Sequence, residues 1–509
     1  MLILFVTVVA NHNSIAQTAE EHFETGLEKM EAEDYKGAID EFTKAIDLSP
    51  QFAEAFNMRG VAKKEMGEPT AALQDFYYAL EFKPDMAEAY FNRGFVMFEI
   101  GNYNGALRDL NEAIHLNPEN SDYYLVRGNA HFMLENYEDA IKDYSTAMEM
   151  GIVNADILYN RAFAFHKTGL NRYALEDLEN SFLVDSSNPD ILFLFGIVHS
   201  ELGNYREAIQ YYSELINKDP DNLDAYFNRA YLRHSLGDYT GATEDYTVLI
   251  ERDSITAEVY NNRGLARTKS GDLKDAIADF NRALELSPDF SLAYLNRGYA
   301  KYEIPDYRSA AEDFTAYLEK TEGEENIYYE IYHVRARSHH RLSRFSDAIR
   351  DYTRAIELNP EEPVLYINRG QAFMSGPEDA DAAIADFTKA IDLKPDYVEA
   401  YNSRSNARLL KEEYMEALED ADRAIELDPE SGKAYYTRGI LMLEIEDHYS
   451  AIKDLTTAIE LEPGNAQAFF FRGVAHMDHG DTEEACRDFN TALKMGISEA
   501  KNIIDEICR

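Results

Sequence analysis

The stretch AYFNRGFVMFEIGNYNGALRDLNEAIHLNP, residues 89–118, decides the fold. Its apolar residues recur at helical spacing on both sides of a short G-N-Y break, and it closes on a proline that lacks the donor a helix needs to continue. It therefore reads as two short helices around a turn, followed by a stop. The proline that ends it has counterparts at Pro50, Pro84, Pro220, Pro288, Pro360, Pro395, Pro429 and Pro463, in the phrase L-x-P at all of these except Pro84 and Pro220. Apart from two small insertions, the spacing is a fixed repeat unit or a multiple of it.

With that proline as position 32 of a unit beginning at Ala19, alanine falls at position 20 in every unit, from Ala38 through Ala276 to Ala485. Position 8 is small throughout, as Gly60, Gly94 and Gly264 or as Ala162, Ala230, Ala336 and Ser405, so two helices can approach closely there. Aromatics at positions 4 and 24, such as Tyr260 and Phe280, lie on the stripes that helix periodicity buries. Each unit thus predicts a helix A over positions 1 to 14, a turn, and a helix B ending near the proline.

This pattern of an aromatic, a small residue, alanine, an aromatic and proline resembles the tetratricopeptide repeat family. The resemblance covers residues 19–499 and departs from the family only in detail: no Trp is present, and position 7 is usually Arg. It implies an all-α solenoid, a right-handed superhelix of about 14 helix-turn-helix repeats whose A helices line a concave groove. The expected division is repeats 1–9 over 19–327, repeats 10–14 over 328–499 and a short capping helix over 500–509. The junction 318–330, LEKTEGEENIYYE, carries four extra residues and reads either as a tolerated insertion or as a joint.

Composition narrows the function. Ninety-four acidic against 49 basic side chains give a formal charge of −45, which repels phosphate backbones and anionic lipid, so nucleic acid is excluded as an expected partner. The apolar run MLILFVTVVA is too short to span a bilayer but long enough for the core of a leader. Residues 1–16 are read as a signal peptide, with an exported protein if it is cleaved and a cytosolic one otherwise. The two cysteines, Cys486 and Cys508, leave a disulfide or a free pair open.

Position 7 is Arg and position 23 is Asp in the same twelve units. The sixth unit replaces both at once, with Phe195 and Tyr211, and the first has Thr25 and Glu41. Both positions lie eight residues from a turn centred near position 15, at one height in an antiparallel hairpin. An Arg–Asp contact between helices A and B is the expectation, which makes Arg93 scaffolding.

Position 6 lies on another stripe, with positions 2, 9 and 13, which the family resemblance places in the groove. Asn92, Asn160, Asn228, Asn262, Asn296 and Asn368 stand there. A row of amides can bond an extended peptide backbone whatever its side chains, and such a ladder is implied by superhelical members of the family. Position 5 adds Phe91, Tyr159 and Phe227, which could receive apolar or cationic groups. The rival reading is that the amides bond within the stack. Acids at position 2, including Glu88 and Asp224, favour basic partners, although helix dipoles account for them equally. The carboxylate clamp of chaperone-binding relatives is disfavoured at Asn129 and Asn160, because Leu125, Asp190 and Leu194 occupy the places of its cations.

No nucleotide, hydrolase or metalloprotease motif is present in the sequence, and the residues outside the repeats are too few to hold a catalytic domain. No cofactor is expected. His333, His339 and His340 form the densest polar cluster, more in keeping with a solvated or partner-contacting patch than with a metal site. The reading is a non-enzymatic scaffold that binds proteins or peptides, extended or basic, in its groove. The alternative is an accessory subunit recruiting partners to an enzyme or assembly through its convex face or ends.

Overall fold

The computed structural model describes residues 18–321 and 328–508. The expected signal segment 1–16 lies outside the described residues, as does the stretch 322–327 of the long junction. The described residues form 29 helices and no strand, an all-α solenoid of helical hairpins.

In repeat 2, helix A runs Ala53–Glu65 and helix B Pro69–Phe82. The same two lengths recur along the chain. The residue at position 15 adopts positive φ, as Gly67 (76°) and Gly101 (78°) do, which reverses the chain between A and B. Glu412 takes that conformation with φ 61° despite its side chain. Asp34 or Asn102 then caps helix B by accepting from the backbone N–H three residues on.

Packing follows from the small positions. The alanine at position 20 is fully buried in all fourteen repeats. Position 8 receives the ring at position 24 of the same repeat: a Cβ added to Gly26 would lie 2.5 Å from Phe42 Cε1, and one on Gly370 2.5 Å from Phe387 Cε1. Where position 8 carries Ser405, position 24 shrinks to Ala421, and the buried hydroxyl donates to the Ala417 carbonyl (2.7 Å).

The chain divides into two compact units, before and after the Asp238–Tyr239 bond. The first holds repeats 1–6 and helix A of repeat 7; the second holds helix B of repeat 7, repeats 8–14 and a final helix, Ala500–Ile507. In the first unit the A helices of repeats 1–6 touch in succession, and in the second unit those of repeats 8 and 9 and those of repeats 10–14 do, so consecutive A helices share a face over these runs. The last helix covers the apolar end of repeat 14 with Ala500, Ile503 and Ile504, and a Cys486–Cys508 disulfide holds it there.

Candidate binding face

The arginine at position 7 meets the aspartate at position 23 as the hairpin arithmetic requires. Arg263 Nε and Nη2 donate to Asp279 Oδ2 and Oδ1 at 3.0 and 2.6 Å, and Arg93 does the same to Asp109 at 2.6 and 2.9 Å. Eleven repeats show this two-pronged pair. The carboxylates are buried and the guanidiniums nearly so, which places these pairs in the costly class to break.

The remaining nitrogen, Nη1, reaches the previous repeat. Arg263 Nη1 donates to Thr247 Oγ1 (3.1 Å) and Arg297 Nη1 to Asn281 Oδ1 (2.6 Å), both at position 25 of the preceding helix B. The guanidinium also lies over the ring at position 4, with Arg263 5.5 Å from the Tyr260 centroid. One side chain thus joins two helices of its own repeat to the repeat before it. In some repeats position 11 adds a second cation, as Arg267 does on Asp279 (2.6 Å).

Repeat 6 solves the same contact without charge. Phe195 and Tyr211 stack with centroids 4.5 Å apart and planes 8° from parallel. In repeat 1, Glu41 is met by His22 and Lys44 instead, and the bonded Lys44 ammonium holds its carboxyl below the usual range.

The asparagines of position 6 are all half-buried, and several are tied to the preceding repeat. Asn92 Nδ2 donates to Asn57 Oδ1 (3.0 Å) and Asn296 Nδ2 to Asn261 Oδ1 (2.8 Å), while Asn261 Nδ2 donates to Asn262 Oδ1 (3.2 Å). Asn368 Nδ2 lies 2.9 Å from His333 Nε2. Near Asn160, the Tyr144 hydroxyl, whose ionisation is pushed up by burial, donates to Asn129 Oδ1 (2.9 Å). Asn228 follows an aromatic, Phe193, at position 5 of the preceding repeat. The rule is local: a polar residue at position 5 captures the next amide, leaving it one N–H and its carbonyl oxygen's spare capacity.

The aromatics of position 5 are packed between helices. Phe91 stacks on Tyr123 at 4.8 Å, and burial pushes the Tyr159 hydroxyl up to about 12. Phe227 is half-buried. The histidines part company: His333 faces Asn368, His340 meets the Phe345 ring at 5.3 Å, and His339 sits 3.8 Å from Asp351. Among the described residues no group of three His, Cys, Asp or Glu side chains is gathered for a metal.

Family models described as tetratricopeptide repeat match residues 23–87, 193–254, 333–398, 377–432 and 436–500, with further matches at 87–120 and 257–290. The chain belongs to the tetratricopeptide repeat family. Repeats of this family generally build non-enzymatic scaffolds that bind proteins or peptides. No curated protein matches. Among solved structures, "Structure of Naa15/Naa10 bound to HypK-THB" is 13% identical over 96% of both chains with a TM-score of 0.38. Yeast Tom70 is 20% identical over 85% of this chain and 97% of its own, with a TM-score of 0.32. The C-terminal part of a repeat protein from Cytophaga hutchinsonii is 19% identical over 48% of this tetratricopeptide protein and 98% of itself, at 0.42. Among the described residues no helix is long and apolar enough to cross a membrane.

Proposed function

We propose that this tetratricopeptide repeat protein is a non-enzymatic scaffold that holds extended segments of partner proteins against its A-helix face. The observation that supports this reading most is a division of labour. The arginines and aspartates satisfy each other inside the repeats, while the amides of position 6 keep bonding capacity on the A helices. Amide rows suit a polypeptide backbone because each offers donors and an acceptor in one plane.

The test is cross-linked capture of partners from the native host by the full chain and by Asn228→Ala. Lost capture at an unchanged melting temperature supports the A-helix face; intact capture moves the contact to the outer face or the ends. That second reading, an accessory subunit recruiting partners through its outer face, is favoured by Met415 and Tyr449. These position-18 side chains on B helices are 69% and 72% exposed.

Export is the compartment this reading carries. The Cys486–Cys508 bond supports it, since such bonds persist in oxidising surroundings. N-terminal sequencing of the protein from its host checks it: a start near Gln17 agrees, and a start at Met1 does not.

A further inference from the structure

Position 9 of helix A is apolar or amide-bearing in every repeat except the tenth, where it is Arg337. One turn on stands Arg341. Both line a cleft of about 670 Å³ between helix A of repeat 10, Tyr329–Arg341, and helix A of repeat 11, Pro363–Ser375. Asn368, Gln371 and Ser375 face them from the second helix. In a chain with 45 excess negative charges, no carboxylate among the described residues lines this cleft. Glu399, which is not among the lining residues, accepts a bond from Gln371 Nε2 at 3.0 Å.

The positive charge of the cleft comes from the two arginines. His333 beside them is held neutral, its pKa pushed down to about 4 by burial with Arg337 adding to the effect, and its ring engages Asn368. Arg337 lies 5.2 Å over the Tyr302 ring, which orients its guanidinium without neutralising it. Neither Arg337 nor Arg341 forms an ion pair among the described residues. Two guanidiniums, an amide N–H and a hydroxyl around one cavity are the donor set for an oxyanion.

We propose that this cleft anchors an oxyanion, a carboxylate or a phosphate, carried by a bound polypeptide segment, with Arg337 and Arg341 as its cationic arms. The proposal deepens the scaffold reading and rests on it: the segment crossing repeats 10 and 11 is acidic, whatever its character elsewhere.

Calorimetric titration of the full chain with an oligoglutamate peptide, a phosphoserine peptide, inorganic phosphate and an oligolysine peptide tests it. The acidic probes are expected to bind, more weakly as salt rises, and the Arg337→Ala/Arg341→Ala protein to lose roughly tenfold or more in affinity. Arg337→Lys, which keeps the charge without the fork, should lose less. Tighter binding of the phosphoserine peptide assigns phosphate, and tighter binding of oligoglutamate assigns carboxylate. In NMR the His340 ring should titrate at higher pH when the anion is bound, a response that a purely structural arginine would not produce. Equal binding by the parent and the double variant, or no binding of any acidic probe, overturns the proposal. Partner capture that depends on Asn228 but not on these arginines retains the scaffold reading and ends this one.

Discussion

Repeats 6 and 8 hold their two helices together at the same place by opposite means. Repeat 8 uses the Arg263–Asp279 pair, tied further to Thr247 and Tyr260; repeat 6 uses Phe195 stacked on Tyr211. Both hairpins keep a 14-residue helix B, and their A helices differ by one residue, 13 against 14. The comparison teaches that the polar pair is an interchangeable staple and that charge at position 7 carries no function of its own. It also separates stability from recognition: what varies inside the hairpin answers to packing, and what varies on the A-helix face is free to answer to a partner.

The largest effect should come from breaking the staple one-sidedly. Asp279→Ala strands two guanidiniums, Arg263 and Arg267, and should cost about 3–5 kcal/mol in urea unfolding of repeats 8 and 9. Transplanting the pair of repeat 6, as Arg263→Phe with Asp279→Tyr, should recover most of that loss, because well-packed apolar replacements of ion pairs are often neutral.

Acid should separate the repeats next. Position 5 is Phe193 in repeat 6 but His333 in repeat 10, whose folded pKa of about 4 lies below its ordinary value near 6.5. The unfolded chain binds the proton first, so this contribution is intact above pH 6.5 and is lost as pH falls toward 4, by about 3 kcal/mol. Amide exchange should show repeat 10 loosening across that window, and His333→Phe should abolish the response.

A smaller difference concerns the link to the previous repeat. Thr247→Val removes the acceptor of Arg263 Nη1 and should cost about 1 kcal/mol. Glu179→Ala, at the equivalent position of the repeat before Phe195, should leave the melting temperature within experimental error. The smallest effect is a gain: Glu412→Gly relieves a positive-φ turn and should raise stability by about 1 kcal/mol, detectable as a small rise in melting temperature.

Much of this was legible in the sequence because a repeated residue reports a repeated contact. The Arg–Asp pairing showed in positions 7 and 23, and the joint replacement by Phe195 and Tyr211 showed that the two touch. The link to position 25 was equally visible, as Thr247, Asn281 and Thr353 before arginines and Glu179 before Phe195, but it crosses the repeat boundary and escaped a reading made within one unit. The same limit applied to the amides. Asn57, Asn261 and His333 stand 35 residues before Asn92, Asn296 and Asn368, and that spacing meets only when repeats stack. The cationic cleft is marked in the sequence less by its histidines than by Arg337, at a position otherwise without charge. Helix periodicity gives a residue's face but not how far a neighbouring helix covers it, so the burial of Phe91 and Tyr159 had to come from packing.

The most direct test of the staple as scaffolding is a double-mutant cycle on Arg263 and Asp279, read by equilibrium unfolding. The account predicts that each alanine substitution alone costs far more than half of the double substitution, giving a coupling of about 2–3 kcal/mol. Strictly additive losses would contradict it, and with it the separation of hairpin chemistry from the surface left for a partner.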